Sequence, residues 1–96
     1  MNSGKTANIL MPQVSRFFGI IIAMFYDEHN PPHFHAIYGD YNAEIEINGL
    51  SVLAGKLPSR ALGLVIEWAS QHQHELLENW NRIEKGQTIK KIAPLD

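Results

Sequence analysis

His33-Phe34-His35-Ala36-Ile37-Tyr38-Gly39-Asp40-Tyr41-Asn42-Ala43-Glu44-Ile45-Glu46-Ile47-Asn48-Gly49 is the stretch on which the fold turns. Gly39-Asp40 between two tyrosines signals a two-residue hairpin. It sets Tyr38 opposite Tyr41, Ala36 opposite Ala43, His35 opposite Glu44 and His33 opposite Glu46. One face then carries Phe34, Ala36, Tyr38, Tyr41, Ala43, Ile45 and Ile47. The other carries His33, His35, Glu44 and Glu46, with Ile37 opposite Asn42. Strand side chains alternate, so a one-residue slip would exchange the two faces, and the pattern therefore fixes the register. Asn48-Gly49 is a second hairpin signal, pairing Ile47 with Leu50 and Ile45 with Val52 on the same apolar face. Two independent turns agree on which side is the core.

Upstream, Phe17 to Tyr26 is apolar on both alternating faces, which predicts an interior strand covered on both sides. Asp27 to Pro32 is a loop, because Pro31 and Pro32 lack amide donors and force extended conformers before them. Downstream, Pro58 opens a helix and Gly86 closes it. At 100° per residue, Leu62, Val65, Ile66, Ala69, Leu76, Leu77, Trp80 and Ile83 form one stripe to cover the sheet. Leu64 and Trp68 fall outside it. Two explanations stand: packing against a chain terminus, or contact with a second chain, either a partner or another copy. The tail 88–92 alternates weakly, although Lys90 and Lys91 oppose burial. The expected fold is α+β, an antiparallel sheet of four strands (five if the tail adds an edge) with one long C-terminal helix on one face. Residues 1–10 are polar and aperiodic, an arm preceding a single domain over 11–96.

The composition bounds the function. Ninety-six residues, 45% hydrophobic and 19% charged, suit one small globular domain. A net charge of −2 advertises neither nucleic acid nor membrane. The longest apolar run, 17–26, is about half of the roughly 20 residues that span a bilayer, and no cleavage pattern follows it. The absence of cysteine excludes a disulfide scaffold and thiolate zinc sites, and fits a cytoplasmic protein.

Three histidines within seven residues form the main chemical constellation. His33 and His35 share a strand face with Glu44 and Glu46, and His29 precedes a Pro-Pro segment able to fold it back toward His33. Imidazole with carboxylate suits a divalent metal such as zinc, with His29, His33 and His35 as candidate ligands. Acid–base chemistry by His33, His35 and Glu44 is a second reading, including a metal-independent ribonuclease. Cross-strand His–Glu pairs on a solvated sheet face are the plain alternative. A concave pocket would favour chemistry, and a flat wet face would favour plain pairing. Two enzyme templates fail. Histidine-triad hydrolases need a third histidine where Ile37 stands, and jelly-roll metal enzymes need a late strand histidine in the length spent on the helix. Arg82, Lys85, Lys90 and Lys91 form the basic cluster. They either complement the helix C-terminus or contact nucleic-acid phosphates.

The segment His29-Asn30-Pro31-Pro32-His33-Phe34-His35 also carries a family resemblance. With Ser15-Arg16-Phe17-Phe18-Gly19-Ile20-Ile21-Ile22, Gly55-Lys56-Leu57-Pro58 and Glu67-Trp68-Ala69, the chain resembles the small bacterial family catalogued as domain of unknown function 4160. The likeness spans about Met11 to Leu95. It implies a soluble bacterial protein paired with another small family, domain of unknown function 2442, encoded beside it, and it brings no catalytic residue. Two expectations follow: a non-enzymatic partner in a toxin–antitoxin-like or regulatory gene pair, or a small histidine-dependent nuclease, hydrolase or metal-binding protein.

Overall fold

The computed structural model describes residues 12–96, so the expected arm over 1–10 lies outside the described residues. Five antiparallel strands form a meander in the order β1-β2-β3-β4-β5: β1 Gln13–Phe17, β2 Ile20–Ala23, β3 His33–Tyr38, β4 Tyr41–Glu46 and β5 Val52–Lys56. Two helices follow, α1 Ser59–Ser70 and α2 Gln73–Glu84. No helix among the described residues is long and apolar enough to cross a membrane.

The central hairpin has the register expected from Gly39-Asp40, with all six pairs from His33↔Glu46 to Tyr38↔Tyr41 in place. Phe34, Ala36, Ala43, Ile45 and Ile47 are buried, while Tyr38 and Tyr41 at the turn are exposed. After β4 the chain keeps Ile45 opposite Val52. It does not pair Ile47 with Leu50, because Leu50 adopts φ 58 and its amide bonds back to Glu46 O. Val52 is itself exposed, so the apolar face ends before β5.

The expected strand from Phe17 to Tyr26 is divided. Phe18 and Gly19 adopt φ 48 and φ 78, a tight turn that sets Phe17 opposite Ile20. Positive φ at two successive residues matches the twist of a hairpin, and a bulky residue at the first of them is rare. An apolar run therefore hides the turn. The fifth strand arises here and not from the tail. Residues 88–92 form no strand, although Ile92 N donates to Val14 O at 2.9 Å and Ile92 is buried.

The single long helix is likewise divided at His72, whose φ −132 and ψ 21 leave the helical region. Twenty-six residues of straight helix would run about 39 Å, twice the roughly 20 Å of a six-residue strand. The break keeps both halves on the sheet. It lets Gln73 Nε2 donate to Ile47 O at 2.8 Å and to Asn48 O at 3.0 Å. No proline or glycine marks it.

The buried stripe is rotated from the expected one. Ala61, Val65, Trp68 and Ala69 of α1 are buried, as are Leu76, Asn79, Trp80 and Ile83 of α2, while Leu62, Ile66 and Leu77 sit at the margin. Trp68 has no exposed surface to offer a second chain. Its ring lies 5.4 Å from Phe17 and 6.0 Å from Phe34, and its Nε1 donates to Ala93 O at 2.8 Å. Packing against the C-terminal tail is the explanation that holds. Leu64 stays half-buried. Buried Asn79 fixes the same tail through paired hydrogen bonds with the Lys90 backbone, both 2.8 Å.

Gly55 and Gly39 offer a matched test of this sheet. Both have positive φ, 74 and 57, but a Cβ on Gly55 would sit 2.1 Å from Asn42 O, whereas one on Gly39 meets nothing within 4 Å among the described residues. Gly39→Ala should cost about 1 kcal/mol from backbone strain alone. Gly55→Ala should cost at least twice that or release β5, read as a lower urea midpoint.

Candidate metal centre

The loop between β2 and β3 builds the site. Pro31, joined to Asn30 by a cis peptide bond, and Pro32 carry the chain into β3, where Pro32 O accepts from Ile47 N at 3.0 Å. The loop lays Glu28 against the histidine face. One oxygen, Glu28 Oε1, meets His33 Nε2 at 3.1 Å and His35 Nε2 at 2.6 Å. Both histidines are buried. Phe25 packs edge-on against His35 with centroids 4.4 Å apart, and Trp80 of α2 lies 5.3 Å from His33. A flat solvated face is thus not what forms.

The orientation of His33 carries chemical information. Its Nδ1 lies 2.8 Å from Pro31 O, a carbonyl that can only accept, so Nδ1 holds a proton and donates. In a neutral ring Nε2 then presents a lone pair to a carboxylate oxygen. Two acceptors at 3.1 Å repel unless a cation, either a proton or a metal ion, stands between them. A backbone carbonyl accepting from the distal ring nitrogen is also the usual support of a metal-ligating histidine.

Glu28, His33 and His35 present three donor atoms all within 4.8 Å of one another. Donors around a tetrahedral ion at about 2.1 Å stand about 3.4 Å apart, inside this range. Of the expected ligand set His29, His33 and His35, the structure brings the last two together and adds Glu28 beside them. His29 is exposed on the rim and Glu28 takes the inward place. Glu28 was missed because Asp27-Glu28 reads as a polar loop, and only the path of that loop shows which side chain turns inward.

Of the catalytic set, His33 and His35 come together. Glu44 Oε1 reaches His33 Nε2 at 3.8 Å, a diagonal approach, since its direct partner in register is His35. Glu46 does not face His33 closely and instead accepts from Ser51 Oγ at 3.3 Å. Glu28, His29, Asn30, Pro31, His33, Glu44 and Leu53 line a depression of about 300 Å³.

The basic cluster serves the chain's own tail. Arg82 Nε donates to Thr88 O at 2.6 Å, Lys91 Nζ donates to Gln13 O at 2.7 Å, and Lys90 pairs with Glu78 at 3.4 Å. Lys85 is exposed at the C-terminal cap of α2. His72, outside the cluster, stacks on Trp68 at 5.3 Å and bonds Glu75.

Burial pushes the Glu28 pKa up, but hydrogen bonds from His35 and His33 and their positive charge outweigh it and hold the carboxyl below its usual value. In metal-free protein the ionised carboxylate thus stabilises the fold above its unfolded pKa of about 4.3, and this is lost as pH falls through the lower folded value. Urea midpoints in chelator should therefore fall more steeply below about pH 4.3 for the native chain than for Glu28→Gln. Parallel curves would remove Glu28 from the ionic network.

The model of the family described as Domain of unknown function (DUF4160) matches residues 19–81. No curated protein and no solved structure matches the chain.

Proposed function

The chain belongs to the DUF4160 family, a membership that specifies no chemistry, and on the geometry we propose that it binds a divalent metal ion such as zinc through Glu28, His33 and His35. The observation that carries this reading is the convergence of two imidazole Nε2 atoms on one carboxylate oxygen, with Nδ1 of His33 committed to Pro31 O. Two histidines and one carboxylate are a donor set that zinc and iron accept, and three protein ligands leave a position open. Ligation requires neutral imidazole, so metal would replace the proton that otherwise satisfies this cluster.

A protein partner is a second reading, supported by one observation. Exposed Phe18 and Tyr38, with half-buried Leu64, border a largely apolar depression of about 180 Å³ at the turn end of the sheet. The nucleic-acid reading has less support, since three of the four basic side chains are engaged within the chain.

Titration of chelator-treated protein with Zn²⁺ and Co²⁺, followed by calorimetry and by the visible absorption of the cobalt form, should give one ion per chain. Replacing Glu28, His33 or His35 with Ala should weaken binding by more than the about 10–100-fold expected from losing an outer support. His29→Ala should change affinity by less than that. Absence of binding would show that a proton alone holds the cluster, and binding indifferent to Glu28→Ala would remove Glu28 from the ligand set and overturn this reading.

A further inference from the structure

Glu44 stands beside the three-ligand group without belonging to it. Its Oε1 lies 3.8 Å from His33 Nε2, its side chain is 40% exposed, and it lines the same depression of about 300 Å³ as Glu28 and His33. A second carboxylate on the open side of a two-histidine, one-carboxylate centre occupies the place of a proton acceptor. Resting on the metal reading above, we propose that Glu44 is the general base for a metal-bound water, and that the centre hydrolyses the amide or ester bond of an uncharged or cationic carbonyl compound.

Charge selects the substrate class. Glu28 and Glu44 together would neutralise a divalent ion held there. Beyond them, Asp27 and Glu84 join Glu28 along an adjoining depression of about 330 Å³, and among the described residues no lysine or arginine lines either hollow. A phosphodiester would bring further negative charge into a surround whose described lining has carboxylates beyond the ion and no basic side chain. A neutral carbonyl carries no such penalty, and a nearby ammonium group on the substrate would be attracted. Leu53 and Pro31 give the hollow an apolar wall, and Asn30 gives it an amide.

The reaction balances without a further reagent. A metal held by Glu28, His33 and His35 would lower the pKa of a bound water, and the Glu44 carboxylate would take up the proton that this water loses. The remaining hydroxide forms a C–O bond to the carbonyl carbon. The bond from that carbon to the leaving nitrogen or oxygen then breaks, and the proton held by Glu44 passes to the leaving group. One water is consumed, yielding a carboxylic acid and an amine or alcohol, with no change of oxidation state.

The test uses zinc-loaded full-length protein with three probes: a neutral 4-nitrophenyl ester, a cationic amino-acid 4-nitroanilide and bis(4-nitrophenyl) phosphate. Cleavage of at least one carbonyl probe is expected, with the phosphodiester untouched. Glu44→Gln should retain one zinc per chain at similar affinity while lowering kcat about 10²–10⁴-fold. It should also move the pH dependence of the cobalt spectrum, which follows deprotonation of the bound water. Glu46→Gln, one turn of the pleat away, should behave as the native chain. Zinc binding without carbonyl cleavage, full activity in Glu44→Gln, or preference for the phosphodiester would each overturn the inference while leaving the metal reading standing. Failure to bind zinc would overturn both.

Discussion

Tyr38 faces Tyr41 across a two-residue turn, and the whole arrangement hangs on that ladder. Because side chains alternate, it sends Phe34, Ala36, Ala43 and Ile45 into the core and leaves His33, His35 and Glu44 for the opposite face. A slip of one residue would drive either the two histidines of β3 or the two glutamates of β4 into the apolar layer at several kcal/mol each, which is why no neighbouring register competes. The turn at one end of the hairpin thus controls chemistry at the other.

That opposite face becomes a site because the β2–β3 loop folds over it. Pro31 contributes a carbonyl that orients His33, and Glu28 contributes an oxygen on which two ring nitrogens converge. Phe25 and Trp80 shield the rings from water. Partial burial strengthens each electrostatic contact, and it makes an unmatched lone pair correspondingly costly. The cluster therefore calls for a cation, which links its packing to its proposed metal chemistry.

At the other end of the core, Trp68 shows why an off-stripe aromatic is an ambiguous signal. The C-terminal tail, fixed by Asn79, Lys91 and the Ile92 amide, supplies a wall and an acceptor, Ala93 O, that helical periodicity cannot reveal. The tail stays outside the sheet yet covers the β1 edge, leaving exposed β5 as the open one. Gly55, pressed against Asn42 O, and Lys56 make that edge an uneven template for further pairing.

What the sequence determined by itself was local. The α+β class, the β3–β4 register, the Ile45–Val52 pairing and the histidine face follow from turn chemistry and period-two alternation, which act over a few residues. Tertiary structure decided the rest. Phe18-Gly19 becomes a turn because the sheet gains a strand by it. The helix breaks at His72 because a straight one would overrun the sheet, and Trp68 is core because a distant tail closes over it. Glu28 rather than His29 enters the site because the loop's path, tied to β3 through His33 and His35, chooses between neighbouring side chains with equally suitable chemistry. Local patterns encode which face a residue takes. They do not encode which loop residue arrives above it, since that choice is made by packing between segments far apart in the chain.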